Sequence, residues 1–139
     1  MKTKSLILKG LLISGIILLG LSLKTFACEF EFEVQGDKKE IYKAGDEVIV
    51  KVTVIFTHRV CELAITETKF ETKGLEIISA TDWKETSTGT WERKLKMKVT
   101  GTPKGKLTLT GTRTCSKEGG FGIFTLEGEP VAEEDIQIN

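Results

Sequence analysis

The sequence predicts an all-β domain of seven or eight short antiparallel strands behind an export signal. From residue 28 onward, apolar and polar residues alternate with a period of two, as half-buried strands do. Turn signals built from Gly, Pro and Asp recur at intervals of about ten residues. Helical periodicity is nearly absent after residue 28. These observations together favour strands that are joined by short turns.

Residues 1–27 are predicted to be a signal peptide. The segment carries four lysines and no acidic residue, and residues 6–23 form a mostly apolar run. Thr25 and Ala27 fit a signal-peptidase site of the A-x-A type, which makes Cys28 the first mature residue. We therefore expect an exported domain over residues 28–139, located in the periplasm or at the cell surface.

Cys28 also resembles the lipidated cysteine of bacterial lipoproteins, and this resemblance implies a lipid anchor. Thr25 and Phe26 stand where such signals usually carry leucine and a small residue. A third interpretation keeps residues 6–23 as an uncleaved anchor, because about 18 apolar residues can span a bilayer. The membrane is thus expected as a partner only through an uncleaved signal or a lipid anchor.

The charge of the domain argues against binding to nucleic acid. Without the four lysines of residues 1–27, 16 basic side chains remain against 20 acidic ones, a net charge of about −4. Binding to a phosphate backbone needs a basic face, which a mildly acidic chain of this length does not favour. We expect a single domain and no nucleic-acid partner.

The first half of the domain contains four predicted strands, at residues 29–34, 48–57, 61–65 and 75–80. The second is the strongest, because one face consists of Val48, Val50, Val52, Val54 and Phe56. In the second half, a loop containing Trp83 is predicted at residues 81–90. Further strands are predicted at residues 91–99, 107–115, 121–126 and 134–138.

This strand count and turn spacing are typical of an immunoglobulin-like antiparallel β-sandwich, and a small Greek-key barrel is the alternative. With strands alternating in direction, Cys28, His58, Cys61 and Cys115 fall at one end. Cys61 and Cys115 lie on neighbouring strands and in the core-facing phase. Because disulfides persist in exported proteins, we expect a Cys61–Cys115 disulfide, with Cys28 lipidated or left as a free thiol.

Two alternative interpretations give the same cysteines a chemical role in place of a structural disulfide. His58, Cys61, Cys115 and Cys28 are an acceptable ligand set for zinc or copper, although no cofactor is expected if the disulfide forms. Residues 114–120 also resemble the cysteine-bearing loop in the immunoglobulin-like N-terminal domain of periplasmic thiol:disulfide reductases. That resemblance implies thiol exchange, but Gly119, Gly120 and Phe121 stand where that family carries its second cysteine.

Catalysis is not expected, because His58 is the single histidine and no carboxylate and nucleophile accompany it in a recognisable arrangement. The predicted function is that of a non-enzymatic accessory or interaction domain, whose partner is another exported or membrane protein. Trp83 and Phe121 are the candidate binding-loop residues, unless Trp83 and Trp91 only cap the core. The alternative function is a small periplasmic protein that handles metal or thiols.

Overall fold

A computed structural model of the chain describes residues 28–57, 63–114 and 119–135. The described part is all-β, with two antiparallel sheets and two short 3₁₀ helices at Ile65–Glu67 and Glu133–Asp135. The strands are β1 (Cys28–Gln35), β2 (Glu47–Phe56), β3 (Lys69–Lys73), β4 (Leu75–Ala80), β5 (Lys84–Ser87), β6 (Thr90–Val99), β7 (Lys106–Arg113) and β8 (Gly120–Glu127). The eight strands of the described residues agree in number with the predicted seven or eight, although they are not the same eight segments.

The two sheets have different strand orders. The larger sheet runs β1-β2-β6-β4, with β5 also paired to β6, and the smaller runs β3-β7-β8. Every ladder between these strands is antiparallel. The described strands do not close into a barrel, so the Greek-key barrel alternative is wrong for this part of the chain.

The core lies between the sheets and is built mainly on β2. Val50, Val52 and Val54 are completely buried, as the alternation in this strand predicts. They meet inward-facing residues of β6 and β7, among them Leu95 and Leu109. Burial of each such side chain contributes about 1.5–3 kcal/mol, which makes these strands the stable centre of the domain.

Two glycines of β8 allow β1 to approach closely from the other sheet. A Cβ atom at Gly122 would lie 2.5 Å from the Cβ of Phe30. A Cβ at Gly120 would overlap the carbonyl oxygen of Cys28. Phe32 of β1 stacks on Phe124 of β8 with ring centroids 5.7 Å apart. The aromatic side chains of β1 thus fill the space that side chains of β8 would otherwise occupy.

The predicted third strand is wrong in position. The structure has a 3₁₀ helix at Ile65–Glu67, where residues 61–65 were expected to be extended, and β3 begins only at Lys69. Local hydrogen bonds explain the difference, because the Ile65 carbonyl accepts from both the backbone N–H (3.1 Å) and the hydroxyl (2.7 Å) of Thr68. Residues 61 and 62 lie outside the described residues.

Two further expectations also need correction. The predicted loop at residues 81–90 contains the short strand β5, which forms a hairpin with β6 through a turn at Gly89, whose φ of 76° suits glycine. The predicted strand at 134–138 begins instead with the 3₁₀ helix Glu133–Asp135, and residues 136–139 lie outside the described residues.

Tyr42 links the connection between β1 and β2 to the end of β8 through backbone hydrogen bonds. Its backbone N–H donates to the Glu127 carbonyl (2.9 Å), and its own carbonyl accepts from Glu129 N–H (2.8 Å). The ring is buried, and its hydroxyl accepts a hydrogen bond from the backbone N–H of Lys39 (3.1 Å). The sequence predicts a turn here but not a buried tyrosine that links the two sheets.

Candidate functional site

Four described residues define one end of the sandwich, which we name the cysteine end: Cys28, Phe56, Arg113 and Gly120. Cys28 pairs with Phe56 across β1 and β2, and Arg113 pairs with Gly120 across β7 and β8. The alternating strand directions predict that the segments carrying Cys61 and Cys115 are connected to the strands at this end. His58, Cys61 and Cys115, which carry the predicted disulfide and the alternative metal site, lie outside the described residues.

Cys28 is the one predicted cysteine site within the described residues. Its side chain is 1% exposed, and its thiol is not bonded to another cysteine of residues 28–57, 63–114 and 119–135. It faces inward in the same phase as Phe30, against Gly120. Cys28 therefore serves as a core residue at the start of β1 in the structure described here.

Arg113 is buried at the cysteine end, with 1% of its side chain exposed. Its Nη2 donates to the Leu63 carbonyl (2.8 Å), and its Nη1 donates to the Ala64 carbonyl (3.1 Å) and the Thr68 hydroxyl (2.7 Å). The guanidinium carbon lies 4.7 Å from the ring centroid of Phe56, within cation–π distance. Arg113 therefore holds the segment before β3 against the end of β7.

The alternation of apolar and polar residues in β7 places Arg113 on the core-facing side of its strand. A charged residue in phase with Leu107 and Leu109 was the available signal, since a fully buried arginine is rare unless its donors are satisfied. The guanidinium group has five N–H donors in a fixed plane, which suits several backbone carbonyls at once. Its described contacts are structural, and none of them points to a substrate.

Trp83 lies between β4 and β5, as the prediction of a connecting segment requires, but it is half-buried against the core. Its ring stacks on Phe70 with centroids 6.2 Å apart, and the Arg93 guanidinium lies 5.0 Å from its centroid. Arg93 is itself held by two hydrogen bonds to the Thr81 carbonyl (3.0 and 2.7 Å). This arrangement favours the interpretation that Trp83 caps the core.

An open cleft of about 410 Å³ borders this aromatic cap. It is lined by Ile65, Thr66, Asp82, Trp83, Trp91 and Arg93. Three of the six lining residues, Thr66, Asp82 and Arg93, are polar or charged, and Arg93 is already hydrogen-bonded to the Thr81 carbonyl. It is a shallow depression beside a structural contact.

Phe121 lies at the start of strand β8, next to the connection between β7 and β8, in agreement with the strand predicted from residue 121. It pairs with Thr112 of β7, and two residues later Ile123 pairs with Thr110. Phe121 and Ile123 are 56% and 57% exposed, and both point away from the core on the outer face of the smaller sheet. We name the surface formed by Phe121, Ile123, Thr110 and Thr112 the Phe121 face.

The structure does not bring Trp83 and Phe121 together. Trp83 stacks on Phe70, which points between the sheets, whereas Phe121 lies on the opposite side of the smaller sheet. Ile123 was missed, because the alternation in β8 places apolar residues in both phases: Phe121 and Ile123 in one, Phe124 and Leu126 in the other. The position of β1 decides which phase is buried.

The outer face of the larger sheet is charged. Lys51 of β2 pairs with Glu33 of β1 at 2.8 Å, and Lys96 of β6 pairs with Glu47 at 3.1 Å. The hydrogen bond that the Lys51 ammonium donates to the Glu33 carboxylate raises the pKa of Lys51, since it stabilises the charged ammonium. These pairs are solvent-exposed, and such contacts contribute little to stability. The lysines of β6 thus lie on a solvated strand face.

The described residues contain no group of three or more histidine, cysteine or acidic side chains placed to hold a metal ion. Within the same ranges, no helix has the length and apolar character needed to cross a bilayer. Comparison with family models, with curated proteins and with solved structures returned no match for this chain.

Proposed function

We propose that this chain is an exported, non-enzymatic interaction domain that binds another exported or membrane protein through the Phe121 face. The observation that carries the proposal is the pair of large apolar side chains, Phe121 and Ile123, which are both more than half exposed at adjacent outward positions. Exposed apolar surface of this kind is characteristic of protein interaction sites. The threonines of β7 beside it supply hydroxyl groups without charge.

The strand order supports an immunoglobulin-like sandwich. Taken in chain order without β5, the strands of the larger sheet correspond to A, B, E and D, and those of the smaller sheet to C, F and G. This is the strand distribution of the seven-stranded immunoglobulin architecture. In such domains, the outer face of the C, F and G sheet is not covered by the domain itself, and the Phe121 face lies there.

A disulfide between Cys61 and Cys115 is part of the proposal. Its support is the hydrogen bond between Arg113 and Leu63, because each of these residues lies two positions from one of the cysteines. Two described residues near the cysteines in sequence are therefore in direct contact. A disulfide closing this loop of about 53 residues would stabilise the domain by about 4 kcal/mol in the chain-entropy model.

Export with cleavage before Cys28 is the proposed route to the periplasm or cell surface. The burial of Cys28 supports cleavage without lipidation. A diacylglyceryl group on its sulfur would have to enter the space between β1 and Gly120, where a single added Cβ already overlaps the Cys28 backbone. We therefore propose Cys28 as a core thiol of the mature domain.

Site-specific photo-crosslinking in the exporting cell tests the proposed function. Benzoylphenylalanine replaces Phe121 in one variant and Ile78 in a control, because Ile78 is 42% exposed on the other sheet. We expect position 121 to capture one recurring exported or membrane protein that position 78 does not capture. The double variant Phe121→Ser with Ile123→Ser should lower co-purification of that protein at least tenfold.

The proposal is wrong if position 121 captures the same set of proteins as position 78, or if the double serine variant retains the partner. Both serine substitutions are at exposed positions, so we expect the free energy of unfolding to change by no more than about 0.5 kcal/mol. A thermal melt of the double variant verifies this and separates loss of binding from loss of fold.

A further inference from the structure

The outer edge of β8 exposes backbone hydrogen-bonding groups. Gly128 N–H donates to Gly105 on the β7 side (2.6 Å), whereas the Glu127 carbonyl accepts from Tyr42 on the opposite side (2.9 Å). Backbone groups of alternate residues in a strand point in the same direction. Ile123 and Thr125 therefore direct their N–H and C=O groups away from β7, like Glu127.

Tyr42 covers only the far end of this edge. Its contacts end at Glu127, and no other strand within the described ranges pairs with the outer side of β8. An open groove of about 470 Å³ lies between residues 38–40 and the part of β8 that contains Thr125. The groove thus gives access to β8 at Thr125, and the Ile123 side chain is 57% exposed two residues earlier.

The other edge strands carry features that discourage pairing with a foreign strand. β1 has three glutamates at alternate positions, and β3 is only five residues long and bears Lys69, Glu71 and Lys73. β4 and β5 are short, and each has a register shift in its pairing with β6. Residues 120–126 of β8 contain no charge and no proline.

We infer that β8 is a strand-addition site for β8 of a second copy of this chain, giving a two-fold symmetric dimer with an antiparallel β8–β8 ladder centred on Ile123. In that arrangement Ile123 lies opposite its own counterpart, and each Ile123 N–H donates to the other Ile123 carbonyl. No like charges meet, because the facing stretch is uncharged. An isologous contact of this kind closes and does not propagate.

A second copy fits this edge better than another strand of the same chain. Among the described edge strands, β8 alone combines an uncharged run, residues 120–126, with regular pairing along its other side. The dimer would join the two smaller sheets into one continuous sheet and would place two Phe121 faces side by side. This inference goes beyond the proposed function and does not depend on it.

The interface would be small. A single strand pair buries less than the roughly 1,200 Å² found in stable complexes, so we expect a dissociation constant of about 0.1–1 mM. Sedimentation velocity of the purified exported protein, from about 10 µM to 1 mM, measures it. The weight-average mass should rise from that of a monomer toward that of a dimer across this range.

Ile123→Pro tests the edge directly. Proline removes the N–H that points outward and leaves the hydrogen bonds to β7 in place, as at other edge positions that accept proline. We expect this variant to remain monomeric at 1 mM, a concentration at which Ile123→Val still dimerises. Ile123→Lys should also be monomeric, because two ammonium groups would then face each other across the two-fold axis. This variant replaces Ile123→Pro in the test if the proline variant does not fold.

A monomeric wild-type protein at every concentration overturns the inference, and so does a dimer that persists in both Ile123→Pro and Ile123→Lys. The result of this dimerisation experiment is independent of the result of the photo-crosslinking experiment that tests the proposed function. Capture of a different protein by photo-crosslinking at position 121 does not require dimerisation, and a crosslink to the chain itself would support the dimer alone.

Discussion

The guanidinium of Arg113 donates a 2.8 Å hydrogen bond to the carbonyl of Leu63, although the two residues are 50 positions apart. Further hydrogen bonds reach Ala64 and Thr68, so one buried side chain organises the whole turn before β3. The contact ties the segment before β3 to the end of β7 at the cysteine end.

Arg113→Met should lower the free energy of unfolding by about 2–4 kcal/mol, because the carbonyls of Leu63 and Ala64 and the hydroxyl of Thr68 lose a charged donor at a buried site. Arg113→Lys should lower it nearly as much, since one ammonium cannot reproduce a planar set of five donors. Urea unfolding measures both. Lys106→Met, at the exposed far end of the same strand, is the control and should change stability by less than about 0.5 kcal/mol.

Gly122→Ala should destabilise the domain by about 1–3 kcal/mol, because the new methyl group would lie 2.5 Å from the Cβ of Phe30 and force β1 outward. Thermal unfolding measures the loss. Thr125→Ala, at an outward position of the same strand, is the matched control. Equal stability of the Gly122→Ala variant and the wild type would mean that β1 does not pack on β8 as described.

Trp83→Ala should lower stability by about 2 kcal/mol and leave partner capture at position 121 unchanged, because Trp83 packs against Phe70 and the core. Trp83→Phe should retain part of the stacking and lose less. Stability is read from chemical denaturation, and binding from the photo-crosslink yield. Loss of the crosslink without loss of stability would instead make Trp83 part of a binding site.

Asp46 makes stability depend on pH in the acidic range. The hydrogen bond from the Lys43 N–H, followed by that from Lys39, lowers the pKa of Asp46 from 3.8. A lowered folded-state pKa gives stability that is present above the unfolded value and is lost as the pH falls through the folded value. Asp46→Asn should therefore be less stable than wild type at pH 7, and the difference should shrink below about pH 4. Urea midpoints measured from pH 2 to pH 7 give the comparison, and a constant difference would contradict the assignment.

Strict alternation made β2, β6 and β7 predictable from sequence. In each of them one phase is mostly apolar and the other carries most of the polar and charged residues, so the buried face follows from the pattern. In β8 both phases contain apolar residues, and the pattern cannot tell which one is buried. Packing against Phe30 and Phe32 of β1, which occupy the space above Gly122, determines which phase of β8 is buried.

The segment before β3 could not be predicted for a different reason. Leu63 and Ile65 fit an extended strand by local pattern, but a residue distant in sequence, Arg113, binds their carbonyl groups together. The same limit applies to the candidate site. Sequence indicated Phe121 but not its neighbour Ile123, because exposure on an outer sheet face depends on where the other sheet lies.

The state of the three cysteines in the exported protein separates an interaction domain from a protein that handles metal or thiols. The measurement is the intact mass of unreduced protein from the exporting host, before and after alkylation in denaturant, together with a native-mode spectrum. The account predicts a Cys61–Cys115 disulfide, no bound metal and one alkylated thiol, at Cys28, which reacts only on unfolding because it is buried. Three alkylated thiols, or a retained zinc or copper ion, would contradict it.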